Sequence, residues 1–149
     1  MKDSETNCIQ DDGNDMKALN ELSYRIIGAA FEVRKCLGRH FHEKTYEAAL
    51  AHELRLRGMK CERQVPIHIH YKGIEITDDK RVDILVEGKI PVELKSMPFM
   101  GHSEVGQIMQ YIRFGKYRLG FLMNFDAEDF CTAKLGEFRL CGGIYRLIN

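Results

Sequence analysis

A chain of 149 residues with 44% hydrophobic and 30% charged side chains has the size and composition of one globular domain. It can bury a core without disulfides, which excludes a wholly disordered or fibrous protein. Lys and Arg number 22 and so do Asp and Glu; a strongly basic nucleic-acid coat is excluded, a local basic groove is not.

The charge is unevenly placed. In residues 1–20, Asp3, Glu5, Asp11, Asp12 and Asp15 stand against Lys2 and Lys17 only, so this stretch carries −3 and the remainder +3. Residues 1–18 read as a flexible acidic leader, and residues 19–149 as a single domain. From Leu19 the pattern turns helical: Leu19, Leu22, Ile26, Ala30, Val33 and Leu37 share one face, and Gly38 ends the helix. A second helix runs from about Glu43 to Arg57 with the stripe Tyr46, Ala49, Leu50 and Leu54, capped by Gly58. The period then becomes two, with Val65, Ile67, Ile69 and Tyr71 alternating with Pro66, His68, His70 and Lys72. Lys72-Gly73 turns the chain into Ile74-Glu75-Ile76. Arg81–Val86 and Ile90–Lys95, joined by Glu87-Gly88-Lys89, read as a hairpin. Helical character returns over Ser103–Phe114. The apolar run Leu119–Met123 is a strand buried on both faces, and Phe138–Ile148 holds a last strand interrupted by Gly142-Gly143. The order predicts an α/β fold with a mixed β-sheet flanked by helices.

No run of 18 apolar residues occurs, so no membrane span is expected, and the N-terminus lacks a basic-then-apolar signal pattern. The five cysteines, Cys8, Cys36, Cys61, Cys131 and Cys141, form no CxxC and no even framework. They read as reduced thiols of a cytoplasmic protein, with Cys36 and Cys61 buried beside apolar runs.

One group of residues carries chemistry. Asp83 interrupts a strand of Val, Ile and Leu, and Glu93 and Lys95 share a face of the partner strand. Neighbouring buried carboxylates are costly unless a cation neutralises them. Lys95 offsets one charge and a divalent ion would offset the rest. Two carboxylates and a backbone carbonyl such as that of Leu94 can hold Mg²⁺, which suits phosphodiester hydrolysis. Spacing alone is equally met by a solvated Asp83 and an ordinary Glu93–Lys95 contact.

Several segments in order resemble the GxxExxY family of the PD-(D/E)xK nuclease superfamily. They are Ile26–Val33, Glu43-Lys44-Thr45-Tyr46-Glu47, Leu54–Gly58, Glu62–Pro66, Arg81-Val82-Asp83, Val92-Glu93-Leu94-Lys95, and Gln107 with Tyr111. The glycine three before Glu43 is His40 here, and the proline before Asp83 is Val82. The resemblance implies a restriction-endonuclease-like core and a Mg²⁺- or Mn²⁺-dependent nuclease. Its partner would be nucleic acid, DNA ahead of RNA, with no membrane association. It implies Asp83 and Glu93 as metal ligands and Lys95 as the catalytic lysine. Glu43 or Glu47, one helical turn apart, would supply the helix-borne acid. Gln107 and Tyr111 would position the lysine, the water or the nucleic-acid backbone.

Other candidates are weaker. Arg113, Lys116 and Arg118, with Tyr117, could track a phosphate backbone or simply form a solvated helix end. His68 and His70 share a strand face without a third ligand and read as solvated. His40 and His42 read as loop residues near substrate phosphates. Tyr46 sits on the apolar stripe and reads as core. A second class of function stays open: a nuclease-fold module that binds nucleic acid, a protein partner or a second copy of itself without turnover.

Overall fold

In a computed structural model, which describes residues 11–76, 79–133 and 142–149, the helical periodicity begins earlier than Leu19. Helix α1 spans Asp11–Leu37. Residues 11–18, expected in the flexible leader, are therefore helical. Met16 packs on the core one turn before Leu19, and Asp15 pairs with Arg118 at 3.0 Å. Residues 1–10, the expected strand onset at Phe138, and Cys8 and Cys141 lie outside the described residues.

Helix α2 (Glu43–Leu56) ends at Gly58. The Met59 N–H bonds the Leu54 carbonyl and the Gly58 N–H bonds the Arg55 carbonyl, a left-handed cap that Gly58 enters at φ 82°. Buried Met59 and Leu54 complete it. Cys36, expected to be buried, lies exposed on α1 with its thiol donating to Glu32, and Cys61 is half-buried. Cys36 is one residue off the stripe that faces the core.

Six strands form one mixed sheet in the order β1-β4-β5-β6-β8-β7: β1 (Cys61–Pro66), β4 (Arg81–Val86), β5 (Ile90–Lys95), β6 (Leu119–Asn124), β7 (Asp129–Ala133) and β8 (Gly142–Ile148). The expected single strand through Val65–Tyr71 is broken: the ladder ends at Pro66↔Arg81, with one further bond from the Ile67 N–H to the Lys80 carbonyl at 2.9 Å. The chain leaves the sheet there and forms a separate hairpin, β2 (Ile69–Tyr71) with β3 (Ile74–Ile76). The β4–β5 turn places Glu87 and Gly88 at φ 52° and 65°, the left-handed pair that matches strand twist in a two-residue hairpin. Helix α3 (His102–Gly115) carries the crossover from β5 to parallel β6. Strand β7 was not apparent in the sequence, since its residues are only half-buried and lack strict alternation.

Helices α1 and α2 cover one face of the sheet through Ile26, Ala30, Tyr46 and Leu50 against Ile84, Val92, Leu94 and Phe121. Helix α3 covers the other through Ile108, Tyr111 and Ile112 against Leu122, Tyr145 and Leu147. No helix among the described residues is long and apolar enough to cross a membrane. The α1–α2 loop is pinned from below. The Tyr46 hydroxyl donates to the Gly38 carbonyl at 2.6 Å and accepts from the Phe41 N–H at 3.3 Å. Tyr46→Phe should therefore leave two backbone groups short of partners and cost about 1–2 kcal/mol in urea unfolding. An unchanged midpoint would mean that water replaces the hydroxyl at no cost.

Candidate active site

Strand β4 carries Asp83 among residues that pair on both sides. The β1–β4 ladder runs through Arg63↔Ile84 and resumes at Val65↔Val82. The β4–β5 ladder ends at Ile84↔Val92. Asp83 thus falls out of both ladders. Its carboxylate occupies the gap, accepting the Leu94 N–H through Oδ2 at 2.8 Å. Oδ1 lies 3.3 Å from Nε2 of Gln64, whose backbone adopts φ 54° at the matching position of β1.

From α2, Glu47 reaches the same point. It is 2% exposed, accepts from Gln64 Nε2 at 2.5 Å, and pairs with Arg63 at 3.2 Å and Lys44 at 3.9 Å. The structure thus brings Glu47 to Asp83 through a shared glutamine. Glu43, one turn earlier, is exposed at the start of α2.

Glu93 is 4% exposed. Its Oε1 lies 3.8 Å from the Lys95 ammonium, and its Oε2 is buried with no hydrogen-bond partner. Burial, then the charge of Asp83, pushes the Glu93 carboxyl up to about 9. Burial is also the main cause raising the Asp83 carboxyl, with Glu47 adding to it and the Leu94 N–H opposing it. Lys95 Nζ donates to Gln107 Oε1 at 2.9 Å, and Gln107 Nε2 donates to the Tyr111 hydroxyl at 2.8 Å. The i, i+4 spacing of Gln107 and Tyr111 stacks them on α3, so the helix holds the lysine from the far face of the sheet.

Lys116 and Arg118 are not gathered here. Lys95 pairs with Asn124 at one end of β6, whereas Arg118 precedes the other end, roughly 20 Å away at the rise of a strand. Lys116 and Arg118 instead line a cavity of about 290 Å³ with Asp15, Gly88 and Lys89. Arg118 is engaged by Asp15, and Arg113 lies over the Phe114 ring. His68 faces solvent and pairs with Glu75 at 2.6 Å, so no metal pair with His70 forms. The residues without an expected role that prove central are Gln64 and Arg63. Their signal was membership of the Glu62–Pro66 segment of the family resemblance, which assigned neither residue a role.

A match to the family model of the PD-(D/E)XK nuclease superfamily covers residues 20–134, and the chain belongs to that superfamily. No curated protein and no solved structure matches it. The α/β architecture, with its mixed six-stranded sheet between helices, is consistent with a restriction-endonuclease-like fold. Nucleases of this superfamily generally use divalent metals. Among the described residues, no group of three His, Cys, Asp or Glu side chains is gathered as a ready cage. The fit is nonetheless good for a hard cation. Mg²⁺ needs only one or two carboxylates and completes its shell with water and substrate oxygens, and Glu93 Oε2 is a buried oxygen awaiting a partner.

The raised Glu93 carboxyl has a consequence for stability. The folded chain holds this proton more tightly than the unfolded chain, whose value lies near 4.5. Metal-free stability should be greatest below that value and fall as pH rises towards about 9. Glu93→Gln should remove this slope. Thermal unfolding of both proteins in chelator from pH 5 to 9 measures it; parallel curves would refute the assignment.

Proposed function

We propose that this protein hydrolyses phosphodiester bonds of nucleic acid, with DNA as the expected substrate, using Mg²⁺ or Mn²⁺. The observation that carries the reading is the buried, partnerless Glu93 Oε2 next to Asp83, with Lys95 held between Glu93 and Gln107. Asp83 and Glu93 would hold the ion, with the Leu94 carbonyl at hand between them in β5. A bound divalent ion supplies Lewis-acid stabilisation of charge at the scissile phosphate and activates a water for attack.

The chain's own residues do the rest. Lys95 projects an ammonium beside the ligands and offsets the charge that builds on the phosphate oxygens. Gln107 accepts from that ammonium and is itself fixed by Tyr111, so the lysine stays in one place without being neutralised. Glu47 steadies Asp83 by holding Gln64, and Arg63 balances the Glu47 charge. A cytoplasmic setting is part of the proposal, supported by the free thiols of Cys36, Cys61 and Cys131.

Cleavage of plasmid and of linear DNA with Mg²⁺ or Mn²⁺ tests the reading. Asp83→Ala and Lys95→Ala should each lower the rate by about 10²–10³-fold while unfolding as cooperatively as the wild type. Gln107→Ala should retain more activity than either, since it only positions the lysine. Binding without metal-dependent cleavage, or equal cleavage by all four proteins, would contradict the proposal and favour a nuclease-fold binding module.

A further inference from the structure

The end of the sheet that carries the carboxylates is bordered by two segments outside the catalytic set. One is the α1–α2 loop, residues 38–42; the other, residues 96–101, follows Lys95 directly. They are fastened to each other and to the sheet. Ser96 Oγ donates to the Phe41 carbonyl at 2.5 Å. Asn124, the ladder partner of Lys95, accepts from the Met97 N–H and donates to the Met97 carbonyl. The Phe125 N–H bonds the Lys95 carbonyl at 2.9 Å. Arg39 Nε donates to the Asp126 carbonyl at 3.0 Å, and Arg34 reaches the Ala127 carbonyl.

On this fixed rim two large rings face water. Phe99 is 78% exposed and Phe41 is 45% exposed. The inner edge of Phe41 meets Tyr46 at 6.0 Å between ring centres. A single exposed ring is ordinary. Two on segments bonded to one another, beside a phosphodiester site, form a prearranged pair of π-faces. His40 precedes Phe41 on the loop at φ 77°, in the backbone region that favours glycine. Its Nδ1 lies 3.1 Å from Oδ1 of the buried Asp126, which leaves a ring that is 75% exposed held outward. Arg39 and His42 add cationic or protonatable groups on the same segment; Lys44, paired with Glu47, and His102 open the helices that follow the two segments, opposed by Glu43 and by Glu104, whose carboxylate is occupied with the Gly101 N–H.

We infer that this rim is a stacking platform for single-stranded nucleic acid, which leads an unpaired strand into the carboxylate site. The inference rests on the nuclease reading of that site and adds the strandedness of its substrate. A duplex conceals its base faces, whereas an unpaired strand offers one π-face per nucleotide to an exposed ring and a phosphate to each neighbouring cation. The His40 imidazole, steadied by Asp126, serves a phosphate between the two stacked bases.

The test is fluorescence anisotropy of the full chain in chelator, with labelled single-stranded DNA, single-stranded RNA and blunt duplex DNA of one sequence. Single strands should bind about tenfold or more tightly than duplex, and Phe99→Ala should weaken single-strand binding about tenfold while leaving duplex binding unchanged. Phe99→Trp should retain it. His40→Gly, which relieves the positive φ, should also weaken it. Whichever of DNA or RNA binds more tightly identifies the sugar. Equal affinity for single strand and duplex, or an unaltered Phe99→Ala, would overturn the platform. Metal-dependent cleavage scored separately keeps the two claims apart. Cleavage of both forms with unaltered Phe99→Ala binding removes the platform and leaves the nuclease. Phe99-dependent binding without cleavage does the reverse.

Discussion

The site depends on one hydrogen bond, from the Leu94 N–H to the Asp83 carboxylate at 2.8 Å. In a regular antiparallel pair a β4 carbonyl would accept from β5 at this level. Here the β4–β5 ladder has stopped at Ile84↔Val92, and a side chain has taken the acceptor's place. Strands β4 and β5 can therefore part while the N–H remains satisfied. The parallel β5–β6 ladder continues through Lys95↔Asn124, so one side of the opening stays rigid. Glu93 and Lys95 are carried on that rigid side.

Opening the sheet creates an electrostatic problem that the surrounding elements share. Asp83 on β4 is flanked by Glu93 on β5 and, through Gln64, by Glu47 on α2, the two glutamates almost wholly buried. Glu47 is compensated by Arg63 and Gln64, and Asp83 by the Leu94 N–H. Glu93 has Lys95, at 3.8 Å and shared with Gln107, and otherwise only its contacts with the neighbouring Asp83. The deficit settles there, as a retained proton and a partnerless oxygen. Natural proteins keep such a deficit where a ligand relieves it. Arg34 Nε and Asp126 Oδ1 are likewise buried without a hydrogen-bond partner, but Glu93 Oε2 stands beside Asp83 and Lys95, where a cation would meet it.

Much of this was readable from residue patterns, and the failures have specific causes. The β4–β5 hairpin was set by its apolar runs and by Glu87-Gly88, and its strands fall at the expected residues. Asp83, Glu93 and Lys95 stood out because charge in a strand buried on both faces demands a reason. Gln107 and Tyr111 share a helix face as their spacing suggested, and Gln107 meets Lys95 while Tyr111 bonds Gln107. The choice between Glu43 and Glu47 was not readable, since a single turn separates them and only the tertiary packing of α2 on β1 distinguishes them. Gln64 was missed because its role depends on a backbone departure at φ 54°. Lys116 and Arg118, which the sequence offers as phosphate contacts, stand about a strand's length from the carboxylates, a separation that only the fold reveals.

The proposed function stands on binding of a divalent ion by Asp83 and Glu93, whose raised carboxyl would give up its proton to the ion. Binding of a hard cation to a protonated carboxyl must release that proton. Calorimetric titration of Mg²⁺ and of Mn²⁺ near pH 7, in two buffers of different protonation enthalpy, measures the exchange directly. Saturable binding with release of about one proton per ion in the wild type, and none in Glu93→Gln, is the predicted result. Binding without proton release, or release that survives Glu93→Gln, would contradict it.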